Sequence, residues 1–298
     1  MPKNKFSEFM KESDKVLRQK PVVSAVYLTL RLAVIIMMIA QFFNQNFENV
    51  FLCGLTLILF LMPTALERKL KVDFPDTLEI IIMWFIFAAE ILGEIQSYYI
   101  KFPHWDTILH TLNGFLCAAI GFSLVDMFDR SERFSLTLSP VFMAIVAFCF
   151  SMTIGVLWEF FEYCMDYFLL FDMQKDTVTN VLSTVSLDPT NQNHTVVIKN
   201  ITDMILVTGD GEQIALGLGG YLDMGIHDTI EDLFVNFIGA FVFSIIGYFY
   251  VKSRGRGRFA SRFIPKILEE EIEREETGAD VTAVGDATDV IRNDADNN

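Results

Sequence analysis

The sequence has no G-x-S-x-G elbow, no H-E-x-x-H, no Walker A loop and no G-x-G-x-x-G. No serine or cysteine stands beside any of the four histidines as an obvious nucleophile. Cysteine is scarce: Cys53, Cys117, Cys149 and Cys164 all fall in apolar segments, and no two form a C-x-x-C pair. They read as small buried hydrophobes, not as a disulfide framework or a zinc site. No basic groove with interleaved aromatics occurs, so a nucleic-acid partner is not expected. A cleavable signal peptide is not expected either, because the first twenty residues are polar and the first apolar run is long enough to span a bilayer.

What is abundant is apolar sequence in long blocks. Of 298 residues, 52% are hydrophobic, including 29 Phe and 13 Met, and the mean hydropathy is +0.38. Composition alone is only a little above that of a soluble domain, so the distribution decides. Six blocks of roughly twenty residues, the length that crosses a bilayer core as a helix, lie at about 22–43, 49–66, 76–95, 106–128, 139–168 and 228–251. The fold class expected is all-α: a polytopic membrane helix bundle of about six transmembrane helices.

Charge organises the rest of the chain. The net charge is −15, but from Glu269 onward eleven acids face only Arg274 and Arg292, so the tail carries most of it. With the N-terminus inside, the inner segments hold seventeen Lys and Arg, and the outer ones hold only Lys101, Lys175 and Lys199. That is a strong positive-inside bias. It predicts a cytoplasmic basic arm over 1–21, amphipathic or simply solvated, followed by helices 1–5 over 22–168. An extracytoplasmic insert over 169–226, helix 6 over 227–251, and a cytoplasmic basic stop with an acidic disordered tail over 252–298 complete the order. Both termini are expected in the cytoplasm. Arg31, within the first helix, is expected to snorkel to the cytoplasmic face. In the insert, the stretch through Asn193 reads as polar and loosely ordered. Beyond it, β-branched runs around Gly209-Asp210-Gly211 suggest a small hairpin.

The polar residues inside the apolar blocks carry the functional reading. Asp106 and His110 lie one turn apart on one helix face, with Asn113 three residues on. Glu159, Glu162 and Asp166 occupy the end of the fifth block; Asp228, Asp232 and Asn236 open the sixth. Glu90, Glu94 and His104 are weaker candidates. With the orientation above, all of these fall in the outer third of the bilayer or at its rim. A membrane tolerates such groups where they face a bundle interior, pair with each other or act. Asp106-Thr-Ile-x-His110 and Asp228-Thr-Ile-x-Asp232 also read as two short copies of one motif, placing His110 and Asp232 at equivalent positions. Carboxylates with imidazole suit a divalent metal, with Asp106, His110, Glu159 and Asp232 as the core ligands. They equally suit general acid–base chemistry, proton relay or cation passage, and interhelical polar glue. The aromatics Trp105, Trp158, Tyr98, Tyr99 and Tyr163 read as interface belt or packing.

Three motifs carry a resemblance. Phe102-Pro-His-Trp-Asp106-x-x-x-His110-x-x-x-Gly114, Gly155-Val-Leu-Trp-Glu159-Phe-Phe-Glu162 and Asp228-Thr-Ile-x-Asp232-Leu-x-x-Asn236-x-x-Gly239-Ala240 together resemble the YjdF-type family of bacterial membrane proteins, most of all its Gram-positive members. The order of features is distantly similar to VanZ-like proteins, which are linked to envelope glycopeptide resistance; the long insert between Glu162 and Asp228 departs from it. The resemblance implies a helical protein of the bacterial plasma (inner) membrane. It selects the same residues: Asp106, His110, Glu159, Glu162, Asp228, Asp232 and Asn236. The function expected is binding of a divalent cation or a polar envelope or lipid headgroup at that outward-facing site. The alternatives are an envelope or lipid hydrolase or transferase, and a proton- or cation-coupled transporter.

Overall fold

The computed structural model describes residues 20–70, 72–130, 138–253, 257 and 259–267. The expected basic arm, except Lys20 and Pro21, and the acidic tail beyond Ile267 lie outside the described residues. Among the described residues, five helices are long and apolar enough to cross a membrane: Pro21–Phe43, Phe47–Glu67, Trp105–Asp126, Pro140–Leu169 and Ile226–Lys252. The chain is a multi-pass helical membrane protein.

Helix α1 (Pro21–Phe43) opens with proline at its first position, where the missing N–H costs nothing. Its Leu28, Leu32, Ile36, Ile39 and Phe43 are half or more exposed, the pattern of a surface that faces lipid. The Arg31 guanidinium lies over the Tyr27 ring at 4.7 Å, so a cation–π contact holds it. Helix α2 (Phe47–Leu59) is capped by Asn46, whose side chain accepts from the Asn49 amide at 3.2 Å. It turns at Phe60 and Leu61 into α3 (Met62–Leu70).

The block at 76–95 is not one regular α-helix. Helix α4 (Asp76–Ile86) runs directly into a π-helical segment, Phe87–Ile95. Gly93 lets the Tyr99 ring lie against that segment, where any side chain would collide with it. After the short α5 (Tyr98–Lys101) come α6 (Trp105–Arg130) and α7 (Pro140–Leu169), and α8 (Ile226–Lys252) follows the insert. Of the cysteines, Cys53 is buried, but Cys149 and Cys164 are exposed on α7. The expectation of burial fails for these two because their apolar surroundings are the bilayer, not the protein core.

The insert is more ordered than its polar composition suggests. Strand β3 (Val181–Thr184) pairs antiparallel with β4 (Val196–Lys199), and β2 (Val178–Thr179) pairs with β7 (Tyr221–Leu222). The partners are far apart in sequence, which hid them behind the polar stretch between. Strands β5 (Ile205–Val207) and β6 (Gln213–Ala215) form the hairpin around Gly209-Asp210-Gly211. Gly211 takes φ +86°, which the tight turn requires.

The chain divides into two compact units. The first comprises residues 1–105, 119–147 and 243–298; the second comprises 106–118 and 148–242. In the first unit, Phe60, Phe74, Leu78, Met83, Phe122 and Phe243 are essentially fully buried. There, too, β1 (Val72–Asp73) pairs antiparallel with β8 (Lys266–Ile267). The second unit contains the insert and the polar ends of α6, α7 and α8.

Candidate functional site

The second unit is built around close helix approach. Asn236 of α8 is fully buried and accepts from Asn113 Nδ2 at 3.1 Å. Its own Nδ2 points at Met152 Sδ, 3.6 Å away. Glycines from three helices make room. A Cβ on Gly114 would land on the Asn236 carbonyl, one on Gly155 would come within 2.7 Å of Asn236 Nδ2, and one on Gly239 would strike the Thr111 carbonyl. Ser151 Oγ donates to the Gly114 carbonyl at 2.7 Å. Small residues with buried amide and hydroxyl bonds are how membrane helices approach each other.

Above this layer sit the acids. His110 Nε2 lies 3.4 Å from Asp106 Oδ1 and 3.6 Å from Asp232 Oδ2. One ligand atom from each of the three residues falls within 4.8 Å of the others. The two positions equated by the sequence repeat, His110 and Asp232, thus face each other. Thr229 and Gln174 lie beside Glu159, and Gln174 Nε2 donates to Thr229 Oγ1 at 2.6 Å. Glu162 Oε1 accepts from Trp158 Nε1 at 2.9 Å. Asp228 Oδ2 accepts from the Lys175 amide at 2.8 Å. Asp232 is within electrostatic reach of Asp106, Asp228, Glu159 and Glu162.

Three carboxylate oxygens in this group, Glu159 Oε2, Glu162 Oε2 and Asp232 Oδ2, are buried without a hydrogen-bond partner among the described residues. Their residues are 5%, 7% and 3% exposed. Buried polar atoms are rarely left so, and each instance asks for an explanation such as an ion or a proton. The distances bear on which. At metal–ligand bonds of about 2.0–2.2 Å, two donors on one ion lie roughly 3–4.4 Å apart. The separations from His110 fall in that range and are too long for good hydrogen bonds.

Seven of the sequence candidates, Asp106, His110, Glu159, Glu162, Asp228, Asp232 and Asn236, therefore belong to one unit together with Asn113. Glu90, Glu94 and His104 belong to the other. Glu90 and Glu94 interact electrostatically within the π-helical segment, and His104 is exposed in a left-handed turn at φ +71°. Several contributors were not legible in the sequence. Trp158 read as belt but serves Glu162. Asp166 stands with the acids of the fifth block in the sequence, but its role does not show there: it accepts the amides of Met173 and Gln174 at 2.6 and 2.8 Å, which turns the chain back over the acids. Asp223 receives the amides of Thr177, His227 and Gly225, fixing the start of α8 to the insert. Burial raises its carboxyl pKa, but those amides outweigh it and the net shift is downward. Only an Asx pattern before a helix could have flagged Asp223 in advance.

Fold and site together define a helical membrane protein with a buried acid–histidine cluster near the ends of three spans. The chain belongs to the predicted membrane protein family DUF2238, which it matches over residues 26–253, a range that holds the whole cluster. No curated protein and no solved structure matches it.

Proposed function

We propose that the second unit binds a divalent cation, with Asp106, His110 and Asp232 as ligands. Glu159, Glu162 and Asp228 form the surrounding acidic shell. The observation that carries this reading is the set of donor atoms within 4.8 Å of one another beside three buried, unpartnered carboxylate oxygens. A bound cation gives those oxygens a counter-charge; Lys175 reaches Asp106 and Asp228 electrostatically, but its ammonium donates to the Asp172 carbonyl. Oxygen donors with a single imidazole suit magnesium, manganese, iron or zinc, not a thiolate-seeking metal. Asn113, Asn236 and the three glycines act one layer away by fixing the helix spacing that sets the donor positions.

The test is metal content of the detergent-purified full chain, wild type beside His110→Ala and Asp232→Asn. About one equivalent of metal is expected in the wild type. Each variant should bind at least ~10–100-fold more weakly, the cost of losing even an outer-shell partner. Absence of metal from the wild type, with all three proteins equally heat-stable, sinks the proposal.

A further inference from the structure

Beside the cluster, within the same unit, the first turns of α8 and strand β2 border a groove of about 470 Å³. Its lining divides by chemistry. Thr177, Thr179, His227 and Glu231 supply hydroxyls, an imidazole and a carboxylate; Ile230 and Phe234 are apolar. Those two apolar side chains are 59% and 62% exposed. Nor does the apolar end stop at the groove. The Phe234 ring lies parallel to Phe237 at 6.5 Å and 4°, and Phe237 lies parallel to Phe241 at 5.9 Å and 7°. A stripe of parallel rings thus runs from the groove along a membrane-spanning helix.

We infer that this groove seats a membrane lipid whose headgroup carries a protonated amine. The amine sits at Glu231 and the acyl chain lies along Ile230 and the phenylalanine stripe. Three observations choose that occupant. The groove lies where a membrane-spanning helix meets a polar insert, the level at which headgroups reside. The polar lining contains a carboxylate and no lysine or arginine. Glu231 also interacts electrostatically with Asp106 and Asp228, so three carboxylates share the polar end with Lys175, the cation that reaches the same two aspartates. An anionic headgroup is repelled there, and an ammonium group gains a charge-assisted hydrogen bond. The inference stands apart from the cation reading, because neither Glu231 nor Phe234 is among the proposed ligands.

The experiment reconstitutes the full chain into vesicles of equal phosphatidylethanolamine and phosphatidylglycerol, extracts it in mild detergent and counts retained lipids by native mass spectrometry. Wild type should retain phosphatidylethanolamine over phosphatidylglycerol by roughly tenfold, the discrimination of about one charge-assisted pairing. Glu231→Gln, an exposed and conservative change, should bring the two near parity. Phe234→Ala should reduce retention of both. Asp232→Asn should leave the preference intact even where it removes metal, which keeps the failure of the two readings distinguishable. Equal retention by the wild type, a preference for phosphatidylglycerol, or an unchanged preference in Glu231→Gln overturns the inference.

Discussion

At the scale of single residues, the buried side of the site depends on what is not there. Gly114, Gly155 and Gly239 hold their places because a methyl group at each meets an atom of a neighbouring helix. Alanine is ordinarily the better helix former by roughly 0.5–1 kcal/mol, so the sign of a Gly→Ala change separates propensity from packing. Gly114→Ala should lower the heat stability of the detergent-solubilised protein by about 1–3 kcal/mol, the usual cost of overpacking. Gly155→Ala should cost less, because the atom it meets belongs to the Asn236 side-chain amide, whereas Gly114 opposes the Asn236 backbone carbonyl, which cannot rotate away. Thermal aggregation midpoints of the two variants check the order. A rise in stability for Gly114→Ala defeats the packing account.

At the scale of elements, the loop closing β3 to β4 is organised by one carboxylate. Asp188 accepts the amides of His194, Gln192 and Thr190 at 2.9, 3.0 and 2.9 Å, and the Thr190 hydroxyl at 2.7 Å. The His194 amide, then the Thr190 hydroxyl and amide, hold its pKa down at about 2. The unfolded value is about 3.9, so the ionised form contributes stability that is fully present above roughly pH 4. It is lost as pH falls from there towards 2. Proteolysis of the insert by an acid protease should therefore accelerate between pH 4 and 2. Asp188→Asn should be cut several-fold faster at pH 4 and show no such step. An unchanged pH profile in that variant removes Asp188 from its role. The same loop shows where sequence reading stops. The spans were legible, as in 22–43 against Pro21–Phe43 and 139–168 against Pro140–Leu169, because a bilayer imposes length and polarity on a contiguous run. Strand β3 was not, because its partner β4 lies more than ten residues away, and the Asp188 loop was not, because its bonds are local and made inside a polar run that carries no periodicity. The switch from α to π at Phe87 leaves no mark in hydropathy at all. At the site, one-turn spacing put Asp106 and His110 on a common face. The bonds from Trp158 to Glu162 and from Gln174 to Thr229 depend on rotamers and on the path of the insert.

At the scale of the whole molecule, contacts among the segments that join the spans of the first unit predict the number of crossings. Lys20 precedes α1, yet its Nζ lies 2.7 Å from Asp73, 3.4 Å from Glu79 and 3.7 Å from Glu67, and donates to the Phe74 carbonyl at 2.8 Å. Burial lowers its pKa, but Asp73 and then Glu79 and Glu67 outweigh that and push it up to about 12, so the ammonium stays charged. Val72 and Asp73 in turn pair with Ile267 and Lys266, which follow α8. Residue 20, the 72–79 segment and the 260–267 segment therefore share one side of the membrane. Between Asp73 and Lys266 lie the long helices α6, α7 and α8, and three crossings would put those two residues on opposite sides. An even count predicts a fourth, and Asp76–Ile95 is the segment expected to supply it despite its irregular path. Six crossings would leave the two termini on one side, and the excess of seventeen basic residues over three predicts that this side is the cytoplasm. A fluorescent reporter that matures only in the cytoplasm should be bright at either terminus and dark when inserted after Ser186 in the insert. Reporters that differ between the two termini would mean an odd number of crossings and would remove Asp76–Ile95 from the membrane. The same result would put the Glu90 and Glu94 carboxylates in water, where they need no explanation.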